Sequence, residues 1–197
     1  MSKDNLFSEQ ESMLVDFAFD EKVVNVFPDM IRRSVPGYES IITMVGLLAA
    51  EYAQDESNIY DLGCSLGAAS LSILKQLKQR DCKLVAVDNS QAMIDKCKAN
   101  LDIEPGPAKV ELQCADIQDI EIENASVVVM NFTLQFIAPE QRFDLIQKIY
   151  NGLRPGGILI LSEKIIFAND NEQDDQEALQ LAFKKANGCL LYTSDAA

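Results

Sequence analysis

Ile59-Tyr60-Asp61-Leu62-Gly63-Cys64-Ser65-Leu66-Gly67 is an apolar run entering a turn of small residues, and Asp88 ends the next apolar run 25 positions after Gly63. Glycine admits positive φ and lets backbone N–H groups come close to a ligand. An acid at the end of a second strand accepts hydrogen bonds from ribose hydroxyls. Together they predict a doubly wound α/β sheet that binds a nucleoside-containing cofactor.

The turn alone fits several chemistries. Gly63-x-Ser65-x-Gly67 has the spacing of a nucleophile elbow, but a serine hydrolase needs an imidazole to take the hydroxyl proton, and the chain has no His. A nicotinamide enzyme would place glycine where Ser65 stands, because that glycine admits the pyrophosphate to the helix N-terminus. S-adenosylmethionine (SAM) carries no phosphate, so a serine is tolerable, and Asp61 supplies the acid that such sites place ahead of the first glycine. A turn whose glycines serve packing alone is the remaining reading, and Asp88 argues against it. Cys64 has no visible base nearby and reads as a small turn residue rather than a nucleophile.

Composition agrees with one such domain. At 197 residues and 48% hydrophobic content the chain can bury a single substantial core. The expected organisation is one domain over residues 1–188, with a helical cap at 1–56 and a Rossmann-like core at 57–188. No apolar run approaches the roughly 18 residues that span a bilayer. Met1-Ser2-Lys3-Asp4-Asn5 lacks a signal-peptide pattern, so a cytoplasmic protein without membrane contact is expected. The five cysteines include no C-x-x-C pair, which predicts reduced core thiols and, without His, no metal site. Acids outnumber bases 31 to 17, a formal charge of −14, which disfavours direct nucleic-acid binding. Arg32-Arg33 reads equally as a solvated helix end or an anion contact.

Periodicity places an amphipathic helix over 20–34, with Val23, Val24, Phe27, Met30 and Ile31 as its stripe and a break at Pro28. A second helix is predicted over 38–54, then a strand at 58–62. Helix 68–80 turns Leu71, Leu74 and Leu77 to the sheet, and strand 83–87 follows. Ser90 caps a helix over 91–100. Strands 110–114 and 126–130 stop at Asp116-Ile117 and Asn131. Helix 139–153 is predicted to turn Phe143, Ile146, Ile149, Tyr150 and Leu153 inward. Arg154-Pro155-Gly156-Gly157 separates it from strand 158–162, and 168–177 reads as a loop before a helix at 178–187. Such alternation predicts a mostly parallel sheet with helices on both faces. Ligands bind at the carboxyl ends of such strands, so Gly63, Asp88, Asp116 and Asn131 should converge on one crevice.

These residues carry a resemblance. Asp61-Leu62-Gly63-Cys64-Ser65-Leu66-Gly67, Val87-Asp88-Asn89-Ser90-Gln91-Ala92-Met93 and Leu153-Arg154-Pro155-Gly156-Gly157 resemble class I SAM-dependent methyltransferases. More narrowly, Val26-Phe27-Pro28-Asp29-Met30-Ile31, Arg33-Ser34-Val35-Pro36-Gly37-Tyr38, Asn131-Phe132-Thr133-Leu134-Gln135-Phe136, Leu161-Ser162-Glu163-Lys164 and Lys185-Ala186-Asn187-Gly188 resemble the carboxy-S-adenosyl-L-methionine synthase family. The likeness runs from about residue 4 to Gly188.

The resemblance implies conversion of SAM and prephenate to carboxy-SAM, phenylpyruvate and water. A separate tRNA carboxymethyltransferase then uses the product at a wobble uridine. It implies a homodimer and cofactor contacts at Tyr38, Gly63, Cys64, Ser65, Asp88, Asn89, Asp116, Ile117 and Asn131. Asp88 would take the ribose, Asp116 and Ile117 would flank the adenine, and Tyr38 would reach the methionine end. An ordinary small-molecule methyltransferase and a non-catalytic SAM-binding module would share these residues. Past Gly188 the family's continuation, with its carboxylate-holding arginine, is not matched, and 189–197 reads as a foreign tail. The expectation is therefore a sheet without its last strands, an unpaired edge on strand five and low stability.

Overall fold

The computed structural model describes residues 21–78, 80–104 and 106–189, without the side chains of Glu21, Lys22, Val23 and Asn25. The expected stripe position at Val23 and the tail from residue 190 lie outside the described residues. The chain divides into two compact units, 40–164 and the combination of 1–39 with 165–197.

The larger unit is built on five parallel strands: β1 (Ser57–Leu62), β2 (Cys82–Asp88), β3 (Lys109–Cys114), β4 (Ala125–Asn131) and β5 (Leu153–Ser162). Their order is β3-β2-β1-β4-β5, so the direction of winding reverses between β1 and β4. Among the described residues β5 pairs with β4 alone and forms one edge. The central strands are buried on both faces, which is why β4 reads Ala-Ser-Val-Val-Val-Met without polar alternation.

Alternate residues of each strand enter different cores. Ile59, Leu84, Ala86, Val127 and Val129 pack with Ile73, Leu74, Ile94 and Cys97 from helices α3 (Ala68–Gln76) and α4 (Gln91–Ile103). Tyr60, Leu62, Val85, Val87, Val128 and Met130 pack with Leu145 and Ile149 of helix α5 (Pro139–Gly152). Helix α2 (Tyr38–Tyr52) joins the first core through Val45 and Ala49. It lies directly on α3, since a side chain at Gly46 would strike Ser72, whose hydroxyl donates to Ile42 O at 2.8 Å.

In the smaller unit, helix α1 (Glu21–Ser34) runs unbroken through Pro28, against the expected interior break. Arg32 and Arg33, the two candidate anion contacts, are engaged within this unit. Arg32 pairs with Glu39 at 3.0 Å, and Arg33 binds Asp29 and the Gly188 carbonyl. Helix α6 (Asp170–Ala186) begins within the stretch expected to be a loop. Asn169 caps it by accepting the Asn171 N–H at 2.9 Å, and Asp170 and Glu172 complement the helix dipole in the first turn. The stretch read as a loop is in fact a helix start.

Two further expectations are corrected on α5 and β5. Phe143 and Tyr150 are 73% and 72% exposed, while Ile149 is buried as expected and Leu145, which was not expected inward, is buried with it. The 3.6-residue period allowed two stripes, and the sheet took the one containing Leu145. Strand β5 starts at Leu153, with Arg154 to Gly157 bulging out between the pairs Ala125/Leu153 and Val127/Ile158. One cysteine departs from the expected core thiols: Cys114 is exposed, while Cys64, Cys82, Cys97 and Cys189 are buried. No described helix is long and apolar enough to cross a membrane.

Burial assigns different weights to the two sides of α5. Ile149→Ala should lower unfolding free energy by about 2–5 kcal/mol, whereas Phe143→Ala and Tyr150→Ala should each change it by less than about 0.5 kcal/mol in urea titrations.

Candidate functional site

The turn after β1 is held in a conformation few sequences accept. Gly63, Ser65 and Gly67 all have positive φ, at 77°, 48° and 82°. A Cβ on Gly63 would come within 2.5 Å of Thr133, and one on Gly67 within 2.7 Å of Cys97 Sγ. The N–H groups of Gly63 and Cys64 both donate to Val87 O, at 2.8 and 2.9 Å, which ties the turn to β2.

Asp88, at the end of β2, fastens the two neighbouring helix starts. Its Oδ2 accepts the Ser65 N–H and its Oδ1 the Ser90 N–H, both at 2.9 Å. Ser90 caps α4 by accepting the Met93 N–H at 3.3 Å. Burial pushes the Asp88 carboxyl above its ordinary value, and the two N–H groups pull it back. Each carboxylate oxygen keeps lone-pair capacity for a further donor such as a hydroxyl.

The other expected residues are distributed unevenly. Asn131 ends β4 across the winding reversal, and among the described residues its buried Oδ1 accepts no hydrogen bond. Such an orphan acceptor costs about 1–3 kcal/mol and marks a place that suits a ligand donor. Asp116 is exposed, with Oδ1 accepting the Gln118 N–H at 2.8 Å. Ile117 is buried in the α5-side core, so it can present only its main chain to an adenine. Asn89 is exposed beside Asp88. Tyr38 belongs to the smaller unit, half-buried at the start of α2. The strand ends of the larger unit therefore bring together Gly63, Cys64, Ser65, Asp88, Asn89 and Asn131, with Asp116 and Ile117 following β3.

Cys64 is not a nucleophile. A hydrogen bond with the Cys97 thiol and burial both push its thiol far above the usual range, so it stays protonated. Asp61 is fully buried on β1 and accepts the Ser70 hydroxyl at 2.6 Å. Burial raises its carboxyl from 3.8 to about 6, with the Asp88 charge adding to the effect. A cleft of about 520 Å³ lined by Glu121, Asp144, Lys148 and Asn151 lies at the opposite, amino-terminal edge of the sheet. Its Lys148 donates to Gln118 O at 2.8 Å.

Two residues of the site had been given no role from sequence. The Thr133 hydroxyl donates to Leu62 O at 2.9 Å and fills the space beside Gly63. Glu163, just past β5, accepts the Leu134 N–H at 2.5 Å. Both follow the carboxyl ends of strands, the criterion that pointed to Asp88 and Asn131. The arrangement fits an adenosyl group: a fixed carboxylate for a diol, a close-approach turn and an orphan acceptor.

Because folded Asp61 holds its proton up to about pH 6 and an unfolded Asp only to about 3.8, stability falls as pH rises between those values and stays lower above them. Asp61→Asn should flatten that segment of the Tm profile and stabilise the chain at pH 7 by on the order of 2 kcal/mol. Thermal melts of both proteins from pH 4 to about pH 7 check it.

Residues 59–157 match a family model described as a methyltransferase domain. Carboxy-S-adenosyl-L-methionine synthase of Shewanella piezotolerans is 54% identical over 187 residues, covering 95% of this chain and 77% of that protein. The protein of the same name from Vibrio cholerae is 55% identical over 186 residues, covering 94% and 76%. A SAM-dependent methyltransferase from Clostridium acetobutylicum superposes with a TM-score of 0.53 at 20% identity, over 70% of this chain and 55% of that one. A cyclopropane synthase from Mycobacterium tuberculosis does so with 0.53 at 18% identity, over 61% and 40%. These two likenesses show the fold. With more than half its residues shared along nearly its whole length, the chain belongs to the carboxy-S-adenosyl-L-methionine synthase family, transferases that act on SAM.

Proposed function

We propose that this chain converts SAM and prephenate to carboxy-SAM, phenylpyruvate and water, and that the product donates a carboxymethyl group to a tRNA wobble uridine through another enzyme. The observation that carries this reading is the 54% identity over 95% of the chain to a protein named for that product. The geometry of the strand ends supports the binding mode. Asp88 takes the ribose diol, and its two N–H partners hold it in place for that purpose. The main chain of Gly63, Cys64 and Ser65 borders the ligand, Asn89 lies beside the ribose, and Asp116 with the Ile117 main chain flanks the adenine. Asn131 Oδ1 accepts a donor from the ligand.

SAM supplies a methyl group made acidic by the adjacent sulfonium, whose carbon takes up CO2 released from prephenate. The protein positions the two substrates and excludes water from them. The hydroxide expelled from prephenate removes the methyl proton, so water forms and the charges balance. A formal charge of −14 suits an enzyme that hands on a small molecule and leaves tRNA binding to its successor. A homodimer is part of this reading, supported by the exposed Met44, Leu47, Leu48 and Tyr52 of α2.

Asp88→Ala should weaken S-adenosylhomocysteine binding by about 10- to 100-fold in calorimetric titration, the range for losing hydrogen bonds to a charged group. Incubation with SAM and prephenate should yield a product heavier than SAM by one CO2. Detection only of a methylated acceptor would favour an ordinary methyltransferase, and binding without any product would favour a non-catalytic module. In a scan of the site's carboxylates and tyrosines, no single one should be indispensable for turnover once SAM is bound; one that is would be the base instead of hydroxide.

A further inference from the structure

The segment after β4 is fixed from both ends by opposite charges. It enters through Phe132, a non-glycine residue at φ 59°, whose N–H donates to Ser162 O at 2.8 Å. Residues Leu134–Phe136 then form a single 3-10 turn. Glu163 receives the Leu134 N–H at 2.5 Å, and the N–H groups of Thr133 and Gln135 point to the same carboxylate. At the other end of the turn Arg142 donates from Nε to Ile137 O at 2.8 Å and from Nη2 to Gln135 O at 3.2 Å. An anion thus meets converging amides and a cation meets converging carbonyls, the arrangement that best compensates a short run of aligned peptides.

This clamp acts on the candidate site because of what the segment carries. Asn131, with its orphan buried acceptor, immediately precedes it, and Thr133 joins it to the Leu62 carbonyl beside the glycine turn. A left-handed Phe132 is strained unless its surroundings hold it, and the Glu163 and Arg142 contacts supply that restraint. The geometry points to Glu163 as a positioning residue for adenosyl-ligand binding: through the post-β4 turn it holds Asn131 Oδ1 where the ligand donor arrives. Arg142 is its counterpart at the other end of the turn. The inference rests on the assignment of Asn131 to the ligand.

A double-mutant cycle tests it, with S-adenosylhomocysteine as the titrant and the chains Glu163→Gln, Asn131→Ala and the double variant. Each single change should weaken binding, Glu163→Gln by about tenfold, and the double variant should bind no more weakly than Asn131→Ala alone. Unchanged affinity in Glu163→Gln, or losses that multiply independently, would overturn the positioning role while leaving the Asn131 assignment standing. Unchanged affinity in Asn131→Ala would remove that assignment and the inference with it. Should Glu163→Gln fail to fold, amide exchange in the unaltered chain decides: slow exchange at Leu134 and Gln135 without ligand supports the clamp, and exchange at unprotected rates overturns it.

Discussion

The carboxylate of Asp88 holds the N–H of Ser65 with one oxygen and the N–H of Ser90 with the other. Through these two bonds a single side chain on β2 sets the turn after β1 and the first turn of α4. The left-handed conformations of Gly63, Ser65 and Gly67 are held by these bonds together with main-chain hydrogen bonds of the turn. Val87 O, one residue earlier on the same strand, receives the Gly63 and Cys64 N–H groups. The strand order then determines which loops can meet this turn. Because β4 lies on the other side of β1 from β2, its trailing segment reaches the turn from the opposite flank, with Thr133 against Gly63. A crevice at the winding reversal follows from these constraints.

Electrostatics at the site are those of a buried acidic pair. Asp61 is removed from water and held by Ser70, and Asp88 is partly removed and held by backbone amides. Burial makes Asp61 reluctant to ionise, while the amides around Asp88 counter the same tendency there. One carboxyl therefore serves the packing of α3 on β1, and the other remains available to accept from hydroxyls. A nucleophilic role for Cys64 fails for a related reason, since burial and its contact with Cys97 keep the thiol neutral.

Much of this was legible in the residues alone. The glycine turn and Asp88 identified a parallel, doubly wound sheet because both are demanded locally, by φ and by strand-end chemistry. Ser90 could be read as a cap, and the limits of the first four strands fell within a residue of those observed, whereas β5 begins five residues earlier than expected. Elsewhere the deciding contacts were distant in sequence. Pro28 was read as a break, although α1 continues through it. Phe143 and Tyr150 share a plausible stripe with Ile146 and Ile149, but the face the sheet receives is shifted towards Leu145, with Ile149 common to both. The start of α6 at Asp170 was legible in principle, as Asn169 with Glu172 three positions later forms a capping pattern. Thr133 and Glu163 lie in stretches that resemble the family, yet their roles depend on contacts with Leu62 and Leu134 that are distant in sequence.

The central claim is that the carboxyl ends of β1, β2 and β4 form the adenosyl site. Backbone amide shifts on titration with S-adenosylhomocysteine test it most directly. The account predicts that the largest changes fall at Ser65, Asp88, Ser90 and Asn131, with little change along the amino-terminal edge. Largest changes at Glu121, Asp144 and Asn151, with Ser65 and Ser90 unmoved, would contradict it.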